Sequence, residues 1–218
     1  SGSSIMIAFR VYICVLFSSI STFAQPYEET PQNYIRQRAS QVFMTGEKWF
    51  VKSQSYSPDL DTKCHAMQKI AQTAPNQFTV RMWSTSSYSQ IDSYVTVFTA
   101  EKTGKHRVDN AFYYAPKDSL PVFQKVMYIN HERTCLILIQ VLRTRTRDCQ
   151  LLQSESTVDR LAPSECLNVY SKNCHGTRHQ VYKPICKVLV SRWPQTQRKD
   201  ISPTENKVSC LSGFLCKI

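Results

Sequence analysis

Five cysteines fall between Cys135 and Cys186, and nothing else in the chain restricts its fold as strongly. The spacing runs Thr134-Cys135, Asp148-Cys149, Pro163-Ser164-Glu165-Cys166, Cys174-His175-Gly176, and Val181-Tyr182 before Cys186. Two apolar runs, from Cys135 to Leu142 and from Cys149 to Leu152, alternate with a helical stretch over 163–173. Thiols laid between strands in this way read as a disulfide framework over a β-fold, provided the chain matures where thiols oxidise.

The N-terminus predicts such a compartment. Met6 is followed by one positive charge, Arg10, an apolar core from Val11 to Phe17, and a small-x-small site at Thr22-Phe23-Ala24. This is the pattern of a secretory signal, too short and wrongly flanked for a membrane span. Residues 1–5 lie upstream of Met6. The expected organisation is a leader over 1–24, one domain over 25–190, and a polar tail over 191–218 holding Cys210 and Cys216. Of nine cysteines, Cys14 leaves with the leader. The remaining eight are Cys64, Cys135, Cys149, Cys166, Cys174, Cys186, Cys210 and Cys216. An even number in a secreted chain predicts four bridges, with about a hundred possible pairings. Cys174-His175 with His179 has the look of a metal site, but a bridged thiol is no ligand, and no metal or cofactor is expected.

From Trp49 onward the pattern has period two. The predicted strands begin at Trp49, Cys64, Phe78, Tyr94, Arg107, Val122, Cys135 and Cys149. In the third, Phe78, Val80 and Met82 face one way and Arg81 and Trp83 the other. The fifth is read from Arg107 to Ala115, with Arg107 and Asp109 on one face, and Phe112 and Tyr114 sharing a face further on. Cys135 to Leu142 is almost wholly apolar, as a strand covered on both faces would be. A short helix is expected over 31–43, a second over 163–173, and an extended segment over 181–190. Eight short strands predict an all-β, antiparallel up-and-down barrel or a sandwich.

The ordered set Thr134-Cys135, Cys149, Pro163-x-x-Cys166, Tyr170, Cys174-x-Gly176 and Val181-Tyr182-x-x-x-Cys186 resembles the tick salivary lipocalins, the family containing the histamine-binding proteins. Phe112-Tyr113-Tyr114, and Trp49 opening a strand after an N-terminal helix, support the resemblance. It implies an eight-stranded lipocalin barrel with flanking helices, secreted in saliva, whose cavity captures small host mediators. It also implies the bridges Cys64–Cys186 and Cys135–Cys166, with Cys149–Cys174 as in some members. Cys210–Cys216 is the pair left over.

The same resemblance marks a departure. Amine-binding members carry an acid after the cysteine of the seventh strand, and a Glu-aliphatic-Trp set after the next cysteine. Here those positions are Leu136 and Gln150-Leu151-Leu152. A histamine-type site in the usual place is therefore not expected.

The formal charge of +11 favours anionic partners. The ligand-binding candidates are Trp49, Arg81, Trp83, Arg107, Phe112 and Tyr114. An inward Arg81 or Arg107 would hold a carboxylate through a two-pronged hydrogen bond, with aromatics around an acyl chain. An outward one would simply be solvated. Arg143, Arg145 and Arg147 alternate near a hairpin tip and suit either an anion contact or a charged edge. No Ser-His-Asp or Cys-His set has supporting context, so no enzyme is expected. The reading is a monomeric scavenger of an anionic lipid mediator such as a leukotriene or thromboxane, with a biogenic amine as the other ligand class. A protein-interaction module directed at a host complement, coagulation or platelet protein is the alternative. Neither nucleic acid nor membrane insertion is expected.

Overall fold

The computed structural model describes residues 25–57, 63–88, 90–117, 120–141 and 147–192. The leader over 1–24, Arg143, Arg145, and the tail with Cys210 and Cys216 lie outside the described residues. Two short 3-10 helices, Tyr27–Glu29 and Pro31–Arg36, lead to helix α1 (Ala39–Val42). Nine strands follow among the described residues: β1 (Trp49–Gln54), β2 (Lys63–Ala74), β3 (Gln77–Ser87), β4 (Gln90–Glu101), β5 (Ala111–Tyr114), β6 (Val122–Ile129), β7 (Cys135–Val141), β8 (Arg147–Ser154) and β9 (His179–Gln180). Helix α2 (Ser164–Asn173) precedes β9, and helix α3 (Pro184–Arg192) follows it.

Strands β2 to β8 pair in antiparallel sequence order, β8 pairs with β1, and β1 returns to β2. The eight-stranded barrel therefore closes. The closing seam is short, with only Trp49↔Met67 and Phe50↔Ala66 in register. Beyond it the two residues of β9 take the place of β2 on the edge of β1, opposite Ser53 and Gln54. Closure leaves none of β1 to β8 with a wholly open edge that would template association.

Alternation places Trp49, Val51, Met67, Phe78, Val80, Phe98, Phe112, Tyr114, Val126, Leu136, Leu138 and Leu152 inside the barrel as one core. The N-terminal segment plugs one end. The Phe43 ring enters the interior, 5.1 Å from Phe78, 5.4 Å from Phe112 and 5.9 Å from Phe98 between centroids. Trp49 Nε1 donates to the Val42 carbonyl at 2.7 Å, which satisfies the indole and pins α1 beneath the barrel.

Two further cores lie outside the wall. Cys135, Ile137, Ile139, Cys149 and Leu151 pack under α2 with Cys166, Tyr170 and Cys174. Phe50, Cys64, Ala66 and Trp83 pack with Tyr182, Cys186 and Val190 of the α3 segment. Each core contains bridges: Cys135–Cys166 and Cys149–Cys174 in the first, Cys64–Cys186 in the second. All three pairings are those the family resemblance implied.

Three expectations about elements need correction. Residues 181–190 are not extended as a whole. Pro184 opens a helix there, and Cys186 and Val190, one turn apart, face the barrel. The predicted strand over 107–115 is only Ala111–Tyr114. The buried Asn110 side chain accepts from Thr103 N and donates to Thr103 Oγ1, both at 2.8 Å, which folds residues 103–110 into a loop. The single N-terminal helix is split, because Gln37 and Arg38 leave helical geometry between the second 3-10 turn and α1.

Candidate ligand-binding site

The C-terminal ends of β1, β3, β5 and β7 lie at the end of the barrel opposite the plug. Just inside that end is a cavity of about 50 Å³. Apolar residues line most of it, with Val51, Met67, Met82, Phe98, Leu138 and Leu152 among them. Its polar groups are His65, Tyr114, Gln124 and Gln150. Each arrives by alternation: His65 two before Met67, Tyr114 two after Phe112, Gln124 two before Val126, and Gln150 two before Leu152.

These groups form a neutral chain. Tyr114 Oη donates to Gln124 Oε1 at 3.4 Å, Gln124 Nε2 to Gln150 Oε1 at 3.4 Å, and Gln150 Nε2 to Tyr56 Oη at 2.6 Å. The two long links are weak. Burial, with the Tyr94 and Tyr56 phenols nearby, pushes the Tyr114 phenol well above its usual range, so it stays protonated. His65 keeps some exposure as a residue, but its Nε2 is sealed from solvent without a hydrogen-bond partner. Burial lowers its pKa to about 4, so the imidazole is neutral at physiological pH. No Lys, Arg, Asp or Glu is among the residues lining this cavity.

The six ligand-binding candidates separate. Phe112 and Trp49 are fully buried barrel core, and Tyr114 lines the cavity. Trp83 is buried, but on the outer face beneath α3. Arg81 does not face the interior: it shares the outer face with Trp83, and its Nη1 donates to Ser93 Oγ on β4 at 3.4 Å. Arg107 is exposed on the β4–β5 loop at the plugged end and begins no strand. Neither arginine lines the barrel cavity. His65, Gln124 and Met82 were not singled out as ligand contacts. Their period-two relation to Met67, Val126 and Val80 was the signal that marks them inward.

Both positions at which the family resemblance calls for an acid point inward. Leu136 is buried in the barrel core and Gln150 faces the cavity, with Leu152 below it. Among the described residues no group of three or more His, Cys, Asp or Glu could hold a metal ion. No helix among them is long and apolar enough to cross a membrane.

A search of curated protein sequences gives no match. Among solved structures, apocrustacyanin C2 aligns with a TM-score of 0.50 at 11% identity, covering 70% of this chain and 84% of that one. Japanin from Rhipicephalus appendiculatus, bound to cholesterol, aligns with a TM-score of 0.48 at 12% identity, covering 65% and 96%. AM182, in complex with serotonin, aligns at 0.49 and 8% identity, covering 77% and 97%. At such identities the likeness is one of fold. A family model described as tick histamine binding protein matches residues 27–188, from the first 3-10 helix into α3. With the closed barrel and all three bridges on the family's ladder, the chain belongs to the tick histamine-binding protein family.

Proposed function

We propose that this protein is a secreted scavenger that takes a small, largely apolar and uncharged host mediator, bearing one or two hydroxyl groups, into the mouth half of its barrel. The observation that carries this is the neutral lining. Where a charged ligand would need a counter-charge, the wall offers only the amides of Gln124 and Gln150, the Tyr114 phenol and a neutral His65. An unpaired charge buried there would cost several kcal/mol. This reading departs from the anionic mediator expected for Arg81 or Arg107, because neither guanidinium reaches the cavity. It equally disfavours histamine, since Leu136 and Gln150 supply no carboxylate. The cavity of about 50 Å³ holds one or two waters. A mediator enters by displacing side chains, and the flexible Met67 and Met82 beside the cavity are suited to that.

The small volume supports a second reading. A barrel packed this fully also suits a protein that acts through its surface on a host plasma factor. Native mass spectrometry with cholesterol, a leukotriene and histamine separates the two. A retained cholesterol adduct that disappears in Gln124→Phe, which fills the cavity, supports barrel capture of a neutral ligand. A retained histamine or leukotriene adduct lost in the same variant sinks the neutral-ligand reading. No adduct with any of the three leaves the surface reading.

A further inference from the structure

The plugged end carries a second concavity, outside the barrel and separate from the mouth. It is a groove of about 410 Å³ between the Pro31–Arg36 turn and the β4–β5 loop. Tyr34, Ile35 and Val108 contribute its apolar surface, and Arg38, Lys105 and Arg107 its charge. Ile35 is 64% exposed and Val108 41% exposed, and the two share one groove rather than being scattered singly. All three cations are exposed, and none joins a salt bridge among the described residues. The loop's acid, Asp109, does not line the groove, and Glu29 nearby is occupied by Lys125 at 2.6 Å.

The groove is built, not incidental. Its two walls belong to different parts of the chain and are pinned together. The Tyr34 ring lies on the His106 ring at 3.7 Å between centroids. His106 Nε2 meets Gln37 Oε1 at 2.7 Å, and its Nδ1 meets the Thr103 carbonyl at 2.9 Å. Ala39 N donates to the Asp109 carbonyl at 2.8 Å. The shape therefore exists before any ligand arrives, which lowers the cost of binding.

We infer that this groove is a binding site for an anionic amphiphile, whose apolar chain lies along Ile35, Tyr34 and Val108 and whose carboxylate or sulfate meets Arg38 and Arg107. Apolar surface alone would take any greasy molecule. Three uncommitted cations around it select the anion. The concave shape favours a molecule that enters over a bilayer, which would meet protruding residues. The site is independent of the ligand proposed for the barrel.

Decanoate is the probe, followed by methyl resonances assigned at Ile35 and Val108 in the groove and at Leu138 and Leu152 in the barrel. Decanoate is expected to shift the groove methyls and leave the barrel methyls in place. Decanol, the same chain without charge, is expected to bind roughly tenfold more weakly. Arg38→Gln and Arg107→Gln, both at exposed positions, should each weaken decanoate roughly three- to tenfold, and together erase the preference over decanol. Shifts confined to barrel methyls, no shifts at all, equal binding of decanol, or an unchanged preference in the double variant would each overturn the proposal. Arginine-dependent binding to phosphatidylserine vesicles without decanoate binding would also overturn it, by making the surface a membrane contact.

Discussion

The barrel wall has two unlike halves. On β7, β8 and the paired part of β1 both faces are buried, one by the interior and one by α2, α3 and the three disulfides. On β5 and the part of β4 beyond Ile91, which itself joins the core beneath α3, the inner face packs while the outer face lies open, with Val95 41%, Val97 46% and Tyr113 44% exposed. The same pairing geometry therefore serves two energetic regimes. The covered half is a three-layer structure in which a lost methyl is felt on either side. The open half is a two-layer structure in which only inward residues count. Helices α2 and α3, ten and nine residues long, are too short to persist alone. The bridges and the outer cores hold them on the wall.

The largest expected effect is at the bridge joining β2 to α3. Replacing Cys64 and Cys186 together by Ala releases a sequence separation of 122 and should cost up to ~4–5 kcal/mol in denaturant unfolding, on a loop-entropy account. The shorter Cys149–Cys174 link, of separation 25, should cost about 3 kcal/mol. Equal losses would mean that native packing, not chain closure, sets the value of these bonds.

The next test compares the two regimes directly. Ile137→Ala, in the outer core beneath α2, should lose about 2–5 kcal/mol. Val97→Ala, on the open face, should change stability by less than about 0.5 kcal/mol. Similar losses at the two sites would dissolve the distinction.

A smaller effect is expected with pH. His65 sits on β2 with its pKa lowered to about 4 by burial, against 6.5 for the free group. The unfolded chain takes up the proton near pH 6.5 and the folded chain only near pH 4. Stability is therefore full above the higher value, falls as pH drops through the window, and levels off below it. The loss should be about 2–3 kcal/mol between pH 7 and 4. His65→Met should flatten that part of the profile. An unchanged slope in His65→Met would place the responsible proton elsewhere.

The two halves also differ in how well they can be read from sequence. Continuous apolarity over Cys135 to Leu142 predicts a strand covered on both faces, as β7 is from Cys135 to Ile139, and period two correctly sets Phe78, Val80 and Met82 on the inner face. The covered half misled in one respect. Trp83 is buried, yet the burial lies outside the barrel, because α3 supplies an apolar surface there. Strand alternation identifies two faces but not which buried partner each meets, so Arg81 was grouped with a tryptophan that faces away from the cavity. Arg107 escaped for another reason. The strand read from Arg107 to Ala115 is cut short by the bonds of the Asn110 side chain to Thr103, which no periodicity registers. The apolar run Val181–Val190 fits strand or helix equally, and Pro184 decides it. The cavity chemistry was partly legible, since Leu136 and Gln150 were recognised as lacking charge. The unpaired His65 Nε2 was not, because it depends on what surrounds the ring.

The order of the bridges along the chain constrains how the protein can be made. Cys135–Cys166 and Cys149–Cys174 cross one another in sequence, and Cys64–Cys186 encloses both. During synthesis from the N-terminus, the Cys64 thiol is delivered long before its partner, while four other bridge-forming thiols arrive in between. Any bond that Cys64 makes with one of them must be undone by thiolate attack before α3 can dock. Wherever Cys64 is captured early, the yield of native protein follows the rate of disulfide shuffling rather than the supply of oxidant, so an isomerase counts for more than an oxidant in producing such a chain.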